Sequence, residues 1–390
     1  MATTKAQKSS RPVFGALLGS LVLFGATSAL AEIKLGLQVP ATGPGATDGK
    51  SAQIGAEIAV ADINAAGGVL GQKIRLVTYD DQAKPDQAIF TANKLAGDDQ
   101  VKLVVNGSYS ASGRAAAPVF QKAGVVMISA YAVHPDITKA GDYVFRVAQL
   151  GPPQGAAAAL YIVRNLDRKK VSVVSMDNDY GQSTAEGFLE AAPKYGLTVA
   201  NRYNYSLKDR QFGSIVASVK RDDPQAVYVS GYFFTAGPLV AQLRAAGVSV
   251  PIVGSQAVDS EKFIEIAGAA AEGIYIVNSV DRTKQSDTYE RFVASFKQQT
   301  GYAPEGVAAA VYSTVSLMAD AIKRAGSAEP DKVRVALGAT RGYAMLEKTL
   351  AGFNSDREAI MPMPVNQIQG GKFKPLGEIT DFVPAEMRGK

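Results

Sequence analysis

No cysteine and no tryptophan occur in the 390 residues, and histidine occurs once, at His134. Without a thiol there is no disulfide, no zinc-thiolate or iron–sulfur site and no cysteine nucleophile. A single imidazole cannot build a multi-histidine metal centre. No Gly-x-Ser-x-Gly nucleophile elbow is present, so His134 lacks a serine to activate. A phosphate-loop lysine motif is also missing, and Gly43-Pro44-Gly45 has neither the glycine spacing nor the acidic follower of a dinucleotide fingerprint, so it reads as a turn. The residues therefore point away from an enzyme, a cofactor or a metal.

Long apolar runs are missing too. Val13–Ala26 is apolar for about fourteen residues, short of the roughly 20 needed to cross a bilayer as a helix, and no later stretch is longer. That run follows Lys5, Lys8 and Arg11 with no acidic residue and precedes the small residues Ala29 and Ala31. This is the pattern of a secretory signal cut before Glu32; no cysteine follows the cut to carry a lipid. The expectation is a protein exported to the periplasm and not embedded in a membrane, with residues 1–31 removed. The formal charge of +5 and pI of about 9.0 raise nucleic acid as a partner. Three of those charges belong to the leader, which leaves +2. Arg168-Lys169-Lys170 is only a short surface run, and Arg114 reads as a solvated surface residue. Nucleic acid is not expected.

Hydrophobic residues make up 47% of the chain and charged ones 20%, which suits a globular protein with a large core. Short β-rich runs alternate with helical patterns. Strands are expected at 33–39, 73–80, 102–107 and 125–129, with helices at 51–68, 85–98 and 112–124. The pattern pauses at Gly151-Pro152-Pro153 and resumes. Strands at 171–176, 197–205, 226–231, 251–255 and 273–279 alternate with helices at 181–196, 211–221, 235–247 and 260–268. Helices at 286–299 and 305–325 follow, and the end of the chain reads as short strands. Such alternation predicts an α/β fold of two Rossmann-like lobes with parallel sheets.

GAEIAVADINAAGGVLGQKIRLVTYDD (55–81) resembles the N-terminal segment of the leucine/isoleucine/valine-binding protein family, periplasmic solute-binding components of ABC importers with the type I Venus-flytrap fold. NGSYSAS (106–112), MDNDYGQS (176–183), VYVSGYF (227–233) and IEIAGAAAEGIYIV (264–277) extend the likeness along the chain. The resemblance implies two lobes joined by a three-segment hinge. Residues 32–151 and 281–360 would form lobe I, and 152–280 and 361–390 lobe II. It implies a small-molecule ligand bound between the lobes, a membrane permease as partner, and a monomer.

The resemblance also nominates a site. Ser110, after a strand and before a helix, suits a carboxylate and matches the family's carboxylate-binding serine; read from the residues alone it is a helix cap. Tyr131 and Val133 match positions at the ligand's backbone-like end. Val133 stands where amino-acid binders carry a threonine, and Tyr131 replaces a smaller residue. Tyr180 and Tyr232 match the wall of the second lobe, with Phe233, Phe234 and Tyr109 extending an aromatic cluster. Gln256 stands where amino-acid binders place a glutamate against the ligand's ammonium. A glutamine offers no charge, so the expectation leans to a carboxylate lacking an α-ammonium, an aromatic or branched oxo acid, over a leucine-like amino acid. Asp48, Asp177 and Asp259 are the acidic residues that would answer an ammonium instead. Ala83 and Tyr109 occupy the two positions of a disulfide found in family members. A ligand sensor feeding a signalling partner is the alternative within the same fold.

Overall fold

The computed structural model describes residues 1–6, 32–277, 280–281 and 286–384. The apolar core of the expected leader, residues 278–279 of one expected strand, and residues 385–390 lie outside that set.

The first layer is built by β1 (Ile33–Val39), α1 (Ala46–Ala65), β2 (Ile74–Asp80), α2 (Pro85–Asn93), β3 (Leu103–Asn106), α3 (Ser110–Lys122), β4 (Val126–Ser129) and β5 (Val144–Arg146). Its five strands run in the order β2-β1-β3-β4-β5, and every pairing is parallel. Strands β3 and β4 are buried along their whole length, as a sheet covered by helices on both faces requires.

The chain then enters α4 (Gly151–Arg164). Here the sequence reading saw only a pause. Pro152 and Pro153 sit in the first turn, where proline's missing N–H costs nothing and its fixed φ favours the helix. A second series follows: β6 (Lys170–Met176), α5 (Asp179–Ala191), β7 (Thr198–Tyr205), α6 (Gly213–Asp222), β8 (Ala226–Ser230), α7 (Phe233–Ala245), β9 (Ile252–Gly254), α8 (Glu261–Ala267) and β10 (Tyr275–Val277). The chain returns through α9 (Asp287–Thr300), α10 (Gly306–Ala325) and α11 (Pro330–Gly338). The small antiparallel sheet β11 (Arg341–Ala344), β12 (Thr349–Phe353) and β13 (Ala359–Ile360) comes next. Finally β14 (Met363–Gln369) and β15 (Lys372–Ile379) join the second sheet, in the order β15-β14-β10-β9-β8-β6-β7. The expectation of parallel sheets thus needs correction at this edge. β14 pairs antiparallel with both β10 and β15; the second pairing follows from the Gly370-Gly371 turn, with both residues at positive φ, which folds the strand straight back.

The two α/β layers are joined three times: between β5 and β6, between β10 and α9, and between β13 and β14. α10 lies along α1 in parallel. Gly55 makes this possible, since a Cβ there would stand 2.3 Å from the Ala308 carbonyl oxygen. Farther along, the Tyr312 hydroxyl donates to Asp62 Oδ2 at 2.8 Å. Gly49 plays the same part at the start of α1, where a Cβ would meet the Pro40 carbonyl oxygen at 2.1 Å. The first approach seats α10 on α1, and the second seats the start of α1 on the loop after β1.

Candidate functional site

Five helices begin at one cavity. Asp48 lies in the first turn of α1, Ser110 opens α3, Tyr180 is the second residue of α5, Tyr232 caps α7 and Glu305 caps α10. Each follows or packs beside the carboxyl end of a strand, the usual place for a ligand in an open α/β sheet. The space between them is lined from both layers, as small-molecule sites between lobes are.

Ser110 is buried against this space, and its hydroxyl oxygen accepts the Val133 N–H at 3.1 Å. That leaves the hydroxyl proton to be donated, beside the first N–H groups of α3, which helix geometry leaves without intrahelical acceptors. An anion fits there. Val133 itself does not reach the cavity. Its side chain is fully buried in the core, and its contribution is the backbone N–H that orients Ser110. Strand β4 ends at Ser129, and beyond it the chain places Tyr131 on the cavity lining and the Val133 side chain in the core.

The aromatic residues assemble as a stack. Tyr109 and Tyr232 lie 4.4 Å apart at 20°, Tyr232 and Tyr180 5.1 Å apart at 25°, and Tyr131 meets Tyr109 edge-on at 6.2 Å. Their hydroxyls are held: Tyr131 donates to the Gly107 carbonyl at 2.6 Å, and Tyr180 donates to Ser255 Oγ at 2.9 Å while accepting the Ala257 N–H at 3.0 Å. Phe233 lines the cavity, whereas Phe234 tilts on the outer side of Tyr232 at 5.6 Å.

The acidic side of the cavity was the least visible from sequence. Asp48 accepts the Tyr109 hydroxyl at 2.7 Å. Its carboxyl faces that of Glu305, whose Oε1 takes the Ser260 hydroxyl at 3.2 Å. Burial pushes Asp48 up to about 6. Burial, and then the charge of Asp48, pushes Glu305 up to about 8. Two buried carboxyls in contact cannot both ionise cheaply. Asp259, also on the lining, accepts the Val280 N–H at 2.7 Å. Glu347 and Lys348 complete the wall from the loop before β12. Burial raises the Glu347 carboxyl and lowers the Lys348 ammonium, each partly countered by the other's charge.

Of the residues nominated from sequence, Asp48, Ser110, Tyr131, Tyr180, Tyr232 and Gln256 meet at this cavity, as do Tyr109 and Asp259. Asp177 does not; it is exposed and accepts the Gln182 amide at 2.8 Å. His134 lies off the cavity, its Nδ1 accepting the Asp136 N–H at 3.2 Å. Arg114 is not simply solvated: its Nε pairs with Asp179 of α5 at 2.9 Å, joining the two layers at the rim. Glu305, Glu347 and Lys348 were missed. An acidic residue at the cap of α10 was the available signal for Glu305; nothing local marks the other two.

A family model described as periplasmic binding protein matches residues 32–372. The leucine-, isoleucine-, valine-, threonine- and alanine-binding protein of Pseudomonas aeruginosa is 32% identical over 309 residues, 79% of this chain and 82% of its own. The crystal structure of a leucine binding protein from Thermotoga maritima matches with a TM-score of 0.83 at 25% identity, covering 90% of this chain and 99% of that one. The branched-chain amino acid transporter substrate binding protein of Streptococcus pneumoniae, solved with isoleucine, gives 0.82 at 28% identity, again covering 90% and 99%. Among the described residues no helix is long and apolar enough to cross a membrane. The chain belongs to the periplasmic binding proteins of the leucine/isoleucine/valine-binding kind, solute-binding components of ABC transporters.

Proposed function

We propose that this chain captures a small zwitterionic solute, an amino acid or close analogue, and delivers it to a membrane permease. The carboxylate of the solute meets Ser110 and the α3 N-terminus, and its ammonium meets the acidic wall. The observation that carries this reading is the charge of the cavity: Asp48, Asp259, Glu305 and Glu347 line it against the single cation Lys348. An oxo acid would bring another negative charge into that surrounding, and uncompensated buried charge is costly. The neutral Gln256, which pointed sequence reasoning towards a ligand without an amine, is outweighed by these carboxyls. The names of the relatives agree in kind, since they bind amino acids.

Release into the periplasm through the leader, a monomeric state, and lobes bounded at 151, 280 and 360 belong to the same proposal. The lobe boundaries are supported by the strands, which fall in the first sheet up to 146 and in the second from 170 to 277 and from 363 to 379. Calorimetric titration of residues 32–390 tests the ligand class. Amino acids are expected to bind, and branched oxo acids or aromatic acids are not. Tight binding of an oxo acid with none of an amino acid overturns the reading.

A further inference from the structure

A solute with one carboxylate and one ammonium leaves part of this cavity unanswered. Glu305 is 6% exposed and Asp48 7%, yet the two carboxyls face each other. Oε2 of Glu305 is buried with no hydrogen-bond donor, and Oε1 of Glu347 is in the same condition. Side-chain oxygens this deeply buried are ordinarily bonded. Among the described residues the cation whose charge reaches the pair is Lys262, which acts on Glu305 at longer range. Tyr109 approaches from α3 and Ser260 from the cap of α8, both through hydroxyls. Lys262 is directed to Glu265 at 2.6 Å, and Lys348 is engaged electrostatically with Glu347 and Asp259. From the Ser110 side the pair is reached through Tyr109, the preceding residue, whose hydroxyl donates to Asp48 at 2.7 Å.

We propose that Asp48 and Glu305 form a subsite for a second positive group at the far end of the solute, so that the chain takes basic amino acids or similar compounds with a distal ammonium or guanidinium. This rests on the zwitterion reading above and narrows its ligand class. A cation between the two carboxyls replaces the proton they must otherwise share, and it gives Glu305 Oε2 the donor it lacks. Charge-assisted hydrogen bonds of this kind are the strong ones. Among the described residues no three His, Asp or Glu side chains are grouped to hold one metal ion, which favours an organic cation. The Tyr109 ring, whose hydroxyl meets Asp48, also lines the cavity and adds apolar surface for the stem of such a side chain.

The test is titration of residues 32–390 with L-lysine, L-arginine, L-glutamine and L-leucine, for the wild type and for E305Q, D48N and S110A. The basic amino acids are expected to bind about ten- to a hundredfold more tightly than leucine, the worth of one or two hydrogen bonds to a charged group. E305Q and D48N should each remove that preference, costing the basic amino acids more affinity than they cost leucine. S110A should weaken all amino acids alike. Equal affinity for lysine and leucine in the wild type, tighter binding of glutamine than lysine, or an unaltered preference in both carboxyl variants overturns the distal subsite. In those cases the loss of all binding in S110A still upholds the zwitterion reading. No binding of any amino acid overturns both.

Discussion

Tyr109 and Tyr232 stack across the gap between the two α/β layers, with centroids 4.4 Å apart and planes 20° from parallel. One ring precedes α3 of the first layer and the other caps α7 of the second, so the contact exists only while the layers are closed. Such pairs contribute roughly 0.5–1.5 kcal/mol beyond their buried area. Tyr232→Ala removes this pair and the stack on Tyr180. The expected outcome is a solute-free protein shifted to an open form with a larger radius of gyration by small-angle scattering. An unchanged radius in both solute-free and solute-bound samples would count against a closing role.

Arg114 and Asp179 join the same layers at the rim, at 2.9 Å, with side chains 47% and 23% exposed. Exposed pairs of this kind are worth about 0.2–1 kcal/mol and are screened by salt. Arg114→Ala is expected to weaken solute binding by no more than about fivefold at low ionic strength, and the difference should vanish in concentrated salt. A salt-independent defect would mean that Arg114 touches the solute.

Arg146 is fully buried, and its Nε donates to Glu358 Oε2 at 2.6 Å, tying β5 to the segment before β13. Its Nη1 also reaches the His134 carbonyl at 2.5 Å. Removing one member leaves the other charge buried alone, at a cost of about 3–5 kcal/mol. Glu358→Ala should lower the urea midpoint accordingly. The double replacement Arg146→Met with Glu358→Leu should recover much of that loss.

The raised carboxyls impose a direction on pH dependence. In the unfolded chain Asp48 and Glu305 lose their protons near pH ~4; in the fold they lose them at about 6 and about 8. The native state holds more protons between these values, so stability falls as pH rises through that window. The melting temperature of solute-free protein should drop between pH 5 and 9 on this account. Glu305→Gln should flatten the upper part of the decline. For a cationic solute the affinity should rise over the same interval, because the proton it displaces is already leaving.

Much of the fold was legible because strands buried on both faces and amphipathic helices carry their own periodicity. Val126–Ser129 and Ile33–Val39 needed no context to be read. α4 was missed because its prolines look like punctuation until they are placed in a first turn. The small sheet of β11, β12 and β13 escaped because its strands are short and only partly buried. In the cavity, residues on the loop after a strand, such as Ser110 and Tyr131, could be nominated one at a time. Glu305 and Asp48 could not be paired in advance, because their meeting depends on the close approach at Gly55 of helices 250 residues apart in the chain. Gln256 shows the same limit: a substitution read at one position says nothing about carboxyls arriving from another layer.

The strap at Val280 and Asp281 passes between the layers on three hydrogen bonds. Asp259 Oδ2 takes the Val280 N–H at 2.7 Å, Asn366 Nδ2 donates to the Val280 carbonyl at 2.9 Å, and Asp281 N–H reaches the Glu347 carbonyl at 3.2 Å. Asp259, Val280 and Glu347 also line the cavity. The crossing between the layers and the cavity lining therefore share residues. A solute that draws on the Asp259 carboxylate therefore competes with the Val280 N–H for it. On the proposed function, the angle between the layers becomes a function of cargo chemistry, and a membrane partner reads a well-matched cargo by shape alone.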